Sequence, residues 1–172
     1  MAFIGAEKQG VIYAPGHFLA HEECVRKTRE IAQDSALVQT TDTGKYVPMG
    51  TAWPTNDANA VGILYEDVDV TDGNMPGSVV LSGVVIEDRL AITGESYSSV
   101  TPASGDNPAE KGWYEMSGSS PNYVYTLTDD TTVTQGTTYY AKSDVRLASA
   151  AKTALTAKGF TFVPEPAVTR PY

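Results

Sequence analysis

Hydrophobic positions in the middle of this chain recur with a period of two. "AVGILYEDVDV", from Ala60 to Val70, opens with a continuous apolar run. It then alternates, Val68 and Val70 set between Asp67 and Asp69. Val61, Ile63 and Tyr65 share one face of an extended chain. "GSVVLSGVVIEDRLAI" repeats the style, and reads as a buried strand, Gly83, and a second strand. Gly62 and Gly83 inside such strands predict a bulge or a close approach of another backbone. Upstream, "CVRKTREIAQDSALV" offers a poor helical face through Val25, Ile31, Ala32 and Leu37. Thr28 and the Val and Ile positions fit an extended segment better, with a turn at Asp34-Ser35. Asp42-Thr43-Gly44 then supplies a hairpin loop with glycine at its positive-φ position.

The rhythm changes at about Gly94. "GESYSSVTPASGDNPAEKG" is rich in Ser, Gly and Pro and reads as a linker. Three short strands follow, Trp113–Met116, Tyr123–Leu127 and Thr137–Lys142, punctuated by Ser-Gly-Ser-Ser-Pro-Asn and Thr-Gln-Gly. "SDVRLASAAKTALTAKG" is the clearest helix. Leu147, Ala151, Ala154, Leu155 and Lys158 follow helical spacing, Ser143 or Asp144 can cap the start, and Gly159 sits where the helix stops. "FTFV" returns as a strand, and "PEPAVTRPY" is a proline-rich tail. Residues 1–23 read as an irregular arm broken by Gly5, Gly10, Pro15 and Gly16. The expected organisation is an N-terminal arm (1–23), a β core (24–93 with 144–163), an inserted Tyr- and Thr-rich β module (94–143) and a tail (164–172). The fold expected is mainly β: a small barrel or sandwich with one C-terminal helix and an inserted antiparallel module.

Composition narrows the function classes. Hydrophobic residues are 41% of the 172, enough to build a core. The net charge of −9 argues against a phosphate-backbone partner, so no nucleic acid is expected. Apolar runs fall short of the roughly 20 residues that a membrane helix needs, so no membrane partner is expected either. The first ten residues lack a basic stretch followed by an apolar run, which predicts synthesis without a secretory signal. The one cysteine, Cys24, cannot form an internal disulfide and reads as a small buried hydrophobe.

Candidate chemistry is sparse. The burst Glu66, Asp67, Asp69 and Asp72-Gly73 resembles a calcium loop, but the spacing is one residue too long and no closing glutamate follows before Glu87. Read as structure, it is the solvated end of a strand running into a turn. His17 and His21 lie in the arm, and no nucleophile elbow, phosphate loop, dinucleotide fingerprint, CxxC or HExxH is present. Catalytic residues, metal and cofactor are accordingly all expected to be none. The aromatic set Trp113, Tyr114, Tyr123, Tyr125, Tyr139 and Tyr140 has two readings. Either the rings pack the small sheet on itself, or one ring of each adjacent pair faces out as a surface for a glycan. The arm carries Phe3, Ile4, Val11, Ile12, Tyr13, Phe18 and Leu19 without local periodicity, so these apolar side chains need a surface elsewhere.

The order of "GKYVPMGTAW", "NDANAVGILYEDVDVTDG", "GSVVLSGVVIEDRL" and "AAKTALTAKGFTFV" resembles that of the head decoration proteins of tailed bacteriophages. The likeness covers roughly Thr28–Ile92 and Ala148–Val163. It implies a small β-tulip-like fold, a homotrimer, the major capsid protein as partner, and a place on the outer capsid surface after synthesis in the bacterial cytoplasm. It implies no active site. The arm would then be a capsid-binding segment. "GWYEMSGSSPNYVYTLTDDTTVTQGTTYYAK" is similar to tyrosine-rich modules inserted in phage structural proteins, and implies a projecting head-fibre-like element or a module for a host-surface glycan.

Overall fold

The computed structural model describes residues 14–166. The fold is mainly β with one helix near the C-terminus, as the periodicity predicts, but its sheets stay open and form no closed barrel. The described chain divides into two compact units: residues 14–93 with 146–166, and residues 94–145.

The first unit is organised around one long strand. β1 (Val25–Ile31), β5 (Gly62–Leu64), β4 (Ala52–Trp53) and β7 (Met75–Ile86) form a sheet in the order β1-β7-β5-β4. β12 (Phe160–Val163) pairs with β7 in parallel, Phe160 opposite Gly83 and Val163 opposite Ile86. A second sheet, β2-β3-β6, is made of Gln39–Thr41, Gly44–Val47 and Val68–Asp69. Neighbours along β5 and β7 face opposite ways. Ile63 and Val80 point into a core with Phe18, Leu90, Leu155 and Phe160, whereas Leu64 and Val79 point into one with Ile31, Val47 and Val68. Burial on both faces is why these strands read as apolar runs rather than clean alternation. Gly62 is required by the crossing: a Cβ there would stand 2.3 Å from the Val80 carbonyl oxygen.

Four expectations need correction. "GSVVLSGVVIEDRL" carries most of one twelve-residue strand, which starts at Met75, and not two strands. Gly83 does not end it, because β12 on one side and residues 18–20 on the other keep the chain extended through Ile86. The helix, α1, is only Ser149–Thr156, and Ala148 at its N-cap makes no side-chain cap bond. Ser143 and Asp144 cannot cap it, since both belong to a strand of the second unit. Third, the arm is not irregular throughout. Phe18 is fully buried, Leu19 bridges to Val85, and Ile86 N donates to the Phe18 carbonyl at 2.7 Å. A strand edge and a core cavity of this same chain take up both side chains, so Phe18 and Leu19 are not free anchors here. Phe3, Ile4, Val11, Ile12 and Tyr13 lie outside the described residues.

Fourth, the supposed linker after Gly94 begins with a strand. The second unit is a four-stranded antiparallel sheet in the order β10-β9-β11-β8, with β8 Gly94–Ser99, β9 Tyr114–Ser119, β10 Asn122–Leu127 and β11 Tyr139–Val145. β8 is held by β11 along its whole length, Gly94 opposite Val145 and Ser99 opposite Tyr140.

Candidate functional site

The alternation of strands sorts the aromatic residues of the second unit onto two faces. Tyr97, Tyr114, Tyr125 and Tyr140 fall on one. Register fixes this: Tyr140 is opposite both Tyr114 and Ser99, and Tyr125 is opposite Met116, two residues beyond Tyr114. Tyr97 and Tyr125 come from the two edge strands and stack nearly parallel, centroids 4.0 Å apart. Tyr114 meets Tyr97 edge-on at 5.2 Å, and Tyr140 meets Tyr125 the same way at 5.2 Å. Offset and edge-to-face contacts suit the ring quadrupoles. The four rings therefore make a continuous layer, half-buried by one another.

The layer is pinned at one rim by charge. Tyr97 Oη donates to Glu95 Oε2 at 2.8 Å, and Lys142 Nζ pairs with the other oxygen of that carboxylate. Hydrogen bonding to Lys142, then to Tyr97, holds the Glu95 carboxyl below its ordinary range. The same contact with Glu95 raises the Lys142 ammonium and the Tyr97 hydroxyl above theirs.

The opposite face is closed by a loop. Tyr139 is fully buried there, its ring 5.8 Å from that of Trp113. Its hydroxyl donates to Asp130 Oδ2 and accepts from Thr134 N at 3.1 Å. Buried Thr128 donates to Glu115 Oε1 at 2.6 Å. Lys111 lies over the Trp113 ring at 5.4 Å and pairs with Asp106 at 2.9 Å.

The six aromatic residues singled out from the sequence thus separate. Tyr114, Tyr125 and Tyr140 join the ring layer, and Trp113 and Tyr139 close the far side. Tyr123 stands 46% exposed beside them on β10. Sequence reasoning missed Tyr97, which sits in a Ser- and Gly-rich stretch with no apolar alternation around it. It also missed Met116, Val124 and Leu127, which with Tyr123 leave β10 and its neighbour with an exposed apolar border. On the outer edge of β10 no described strand is paired.

Two carboxylates of the acidic burst hold backbone amides. Asp67 Oδ1 accepts Met49 N at 2.7 Å, and Asp69 Oδ1 accepts Thr71 N at 2.9 Å. The bonds from Thr71 hold the Asp69 carboxyl below its ordinary range. Among the described residues, no group of three His, Cys, Asp or Glu side chains is placed to hold a metal ion. No described helix is long and apolar enough to cross a membrane. No protein-family model matches the chain, and comparison with curated proteins and with solved structures found no match either.

Proposed function

We propose that this chain is a structural virion protein of a tailed phage: a homotrimer that binds the major capsid protein on the outer head surface and stabilises the shell. In this reading it has no catalytic site and needs no cofactor. The observation that carries the reading is that the second β unit is an insertion in the chain of the first. The chain leaves at Gly94 and returns at Val145, and these two residues are ladder partners. At the root, Thr93 Oγ1 donates to the Arg146 carbonyl at 3.1 Å. Asn56 donates to Thr93 Oγ1 at 2.9 Å and accepts Ala148 N at 2.9 Å. Such a build suits a base that carries a module. Two of the carboxylates that looked most chemical, Asp67 and Asp69, accept backbone amides, which supports a scaffold role for them. The test is mass in solution followed by imaging with empty capsids. Three copies per particle and added density on the shell are expected. A monomer at micromolar concentration that leaves capsids bare would overturn the reading.

A second reading has its own observation in the ring layer and the exposed Tyr123. Rings of this kind stack on the apolar faces of sugars, so the second unit would hold a host-surface glycan on the particle. A glycan array with the intact protein and with Tyr123→Ala decides it: binding that is present in the first and lost in the second supports this reading.

A further inference from the structure

Both ends of the described chain reach the same short 3₁₀ turn, Glu87–Arg89, which directly follows β7. Arg89 Nη1 donates to the His17 carbonyl at 3.2 Å. Its Nε donates to Glu165 Oε2 at 2.7 Å, and its Nη2 pairs with the other oxygen of the same carboxylate. Asp88 Oδ2 accepts Glu165 N at 3.1 Å. One guanidinium therefore ties the N-terminal segment to the residues just beyond β12. Those two segments also flank the same part of β7. Ala20 N donates to the Val84 carbonyl at 2.9 Å, Ile86 N donates to the Phe18 carbonyl, and β12 pairs with Gly83–Ile86. A strand has two hydrogen-bonding edges, so the partners occupy one each.

We propose that Arg89, with His17, Asp88 and Glu165, is an acid-sensitive clasp that holds both terminal segments to the end of β7 and loosens them together when the cluster takes up a proton. Burial, and then the Arg89 charge, hold the His17 imidazole below its ordinary value, outweighing the opposite pull of Glu165. Arg89 holds the Glu165 carboxyl below its ordinary range. The remaining charges on the turn are occupied elsewhere: Glu87 pairs with Lys152 of α1, whose ammonium lies 5.4 Å from the Phe162 ring. The signs follow. An opened segment takes up a proton at His17 more readily than a closed one, so stability of the closed clasp is lost as pH falls below about 6.5. Glu165 acts in the same direction at lower pH, below about 4.5. The first window is the one a cell compartment or a host surface can reach. Such a clasp would set when the N-terminal segment can leave its own sheet for another surface.

Hydrogen exchange of the full chain tests it, with rates corrected for intrinsic pH dependence, at about pH 7.5 and about pH 5.5. The amides of Ala20 and Ile86 should lose protection roughly two- to fivefold at the lower pH, because the opened segment takes up the His17 proton more readily, while that of Leu64 stays unchanged. His17→Gln should remove the pH effect over this range. Arg89→Ala should loosen Ala20, Ile86 and Glu165 together at both pH values, and Glu165→Gln should do the same to a smaller extent. The proposal is overturned if protection at Ala20 and Ile86 is independent of pH in the unaltered protein. It is also overturned if Arg89→Ala or Glu165→Gln frees the Glu165 amide alone.

Discussion

Tyr139 joins two kinds of interaction in one side chain: a fully buried ring and a hydroxyl bonded on both its donor and its acceptor side. Tyr139→Phe keeps the ring and deletes the hydroxyl, leaving the Thr134 amide and one Asp130 oxygen without this partner. The expected cost is about 1–3 kcal/mol of the second unit's stability, the range for buried polar groups deprived of a bond. Urea unfolding followed by Trp113 fluorescence would read it, and an unchanged midpoint would show that water replaces the hydroxyl fully. Phe18 makes the matching case in the first unit. Phe18→Ala opens a cavity among Ile63, Val85, Leu90 and Leu155, and should destabilise that unit by about 3–5 kcal/mol. A side chain that merely waited for a capsid would cost almost nothing to truncate, so calorimetry of the isolated protein separates the two roles. Phe18 shows a limit of reading single residues. A sequence carries the volume of a side chain but not the cavity that receives it, and Gly16 and Pro15 hide the strand-like pairing of residues 18–20.

At the scale of elements, what stabilises β8 is pairing, not propensity. "GESYSS" has one apolar residue, and only its ladder with β11 and the stack of Tyr97 on Tyr125 give it a reason to be extended. Tyr125→Ala removes the stacked partner of Tyr97 and the edge contact with Tyr140. A loss of about 1–3 kcal/mol in the second unit is expected, and amides of β8 should exchange faster than those of β9. Equal acceleration in both strands would mean that the ring layer supports the sheet as a whole. The legible elements were those with a local signal: β5, the apolar stretch of β7, β10, the helix and β12 show in the pattern of residues, and β1 in its Thr, Val and Ile positions. Elements set by a distant partner did not show. β8 borrows its conformation from β11, β7 runs through Gly83 because of neighbours on both edges, and α1 starts late because residues 143–145 are claimed by a ladder. The candidate site followed the same division. The sequence marked Tyr114, Tyr125 and Tyr140 only as members of a six-residue aromatic set that strand register later divides, while Tyr97 had no local pattern to reveal it.

For the whole molecule, the deciding feature is that the two crossings between its units adjoin. Thr93 and Arg146 are bonded to each other, and Asn56 bonds to Thr93 and to both sides of the return at Arg146 and Ala148. Directly paired residues in an antiparallel ladder have Cα atoms about 4.5–5.5 Å apart, so the ends left by removing 94–145 need only a short bridge. The first unit keeps both of its cores after such an excision, because neither includes a residue of the second unit. Replacing 94–145 by a short Gly-Ser linker should therefore give a protein that unfolds in one cooperative transition. The closed loop is shorter by some fifty residues, which makes its closure entropy slightly more favourable. Under the proposed function, the excised protein should also trimerise and still bind empty capsids, since the base is assigned the binding and the inserted unit is what it carries. Loss of folding would mean that the second unit completes the first. Normal folding with lost capsid binding would move the capsid contact to the tyrosine-bearing unit. The excised chain thus tests the division of labour between the units separately from the stability of each.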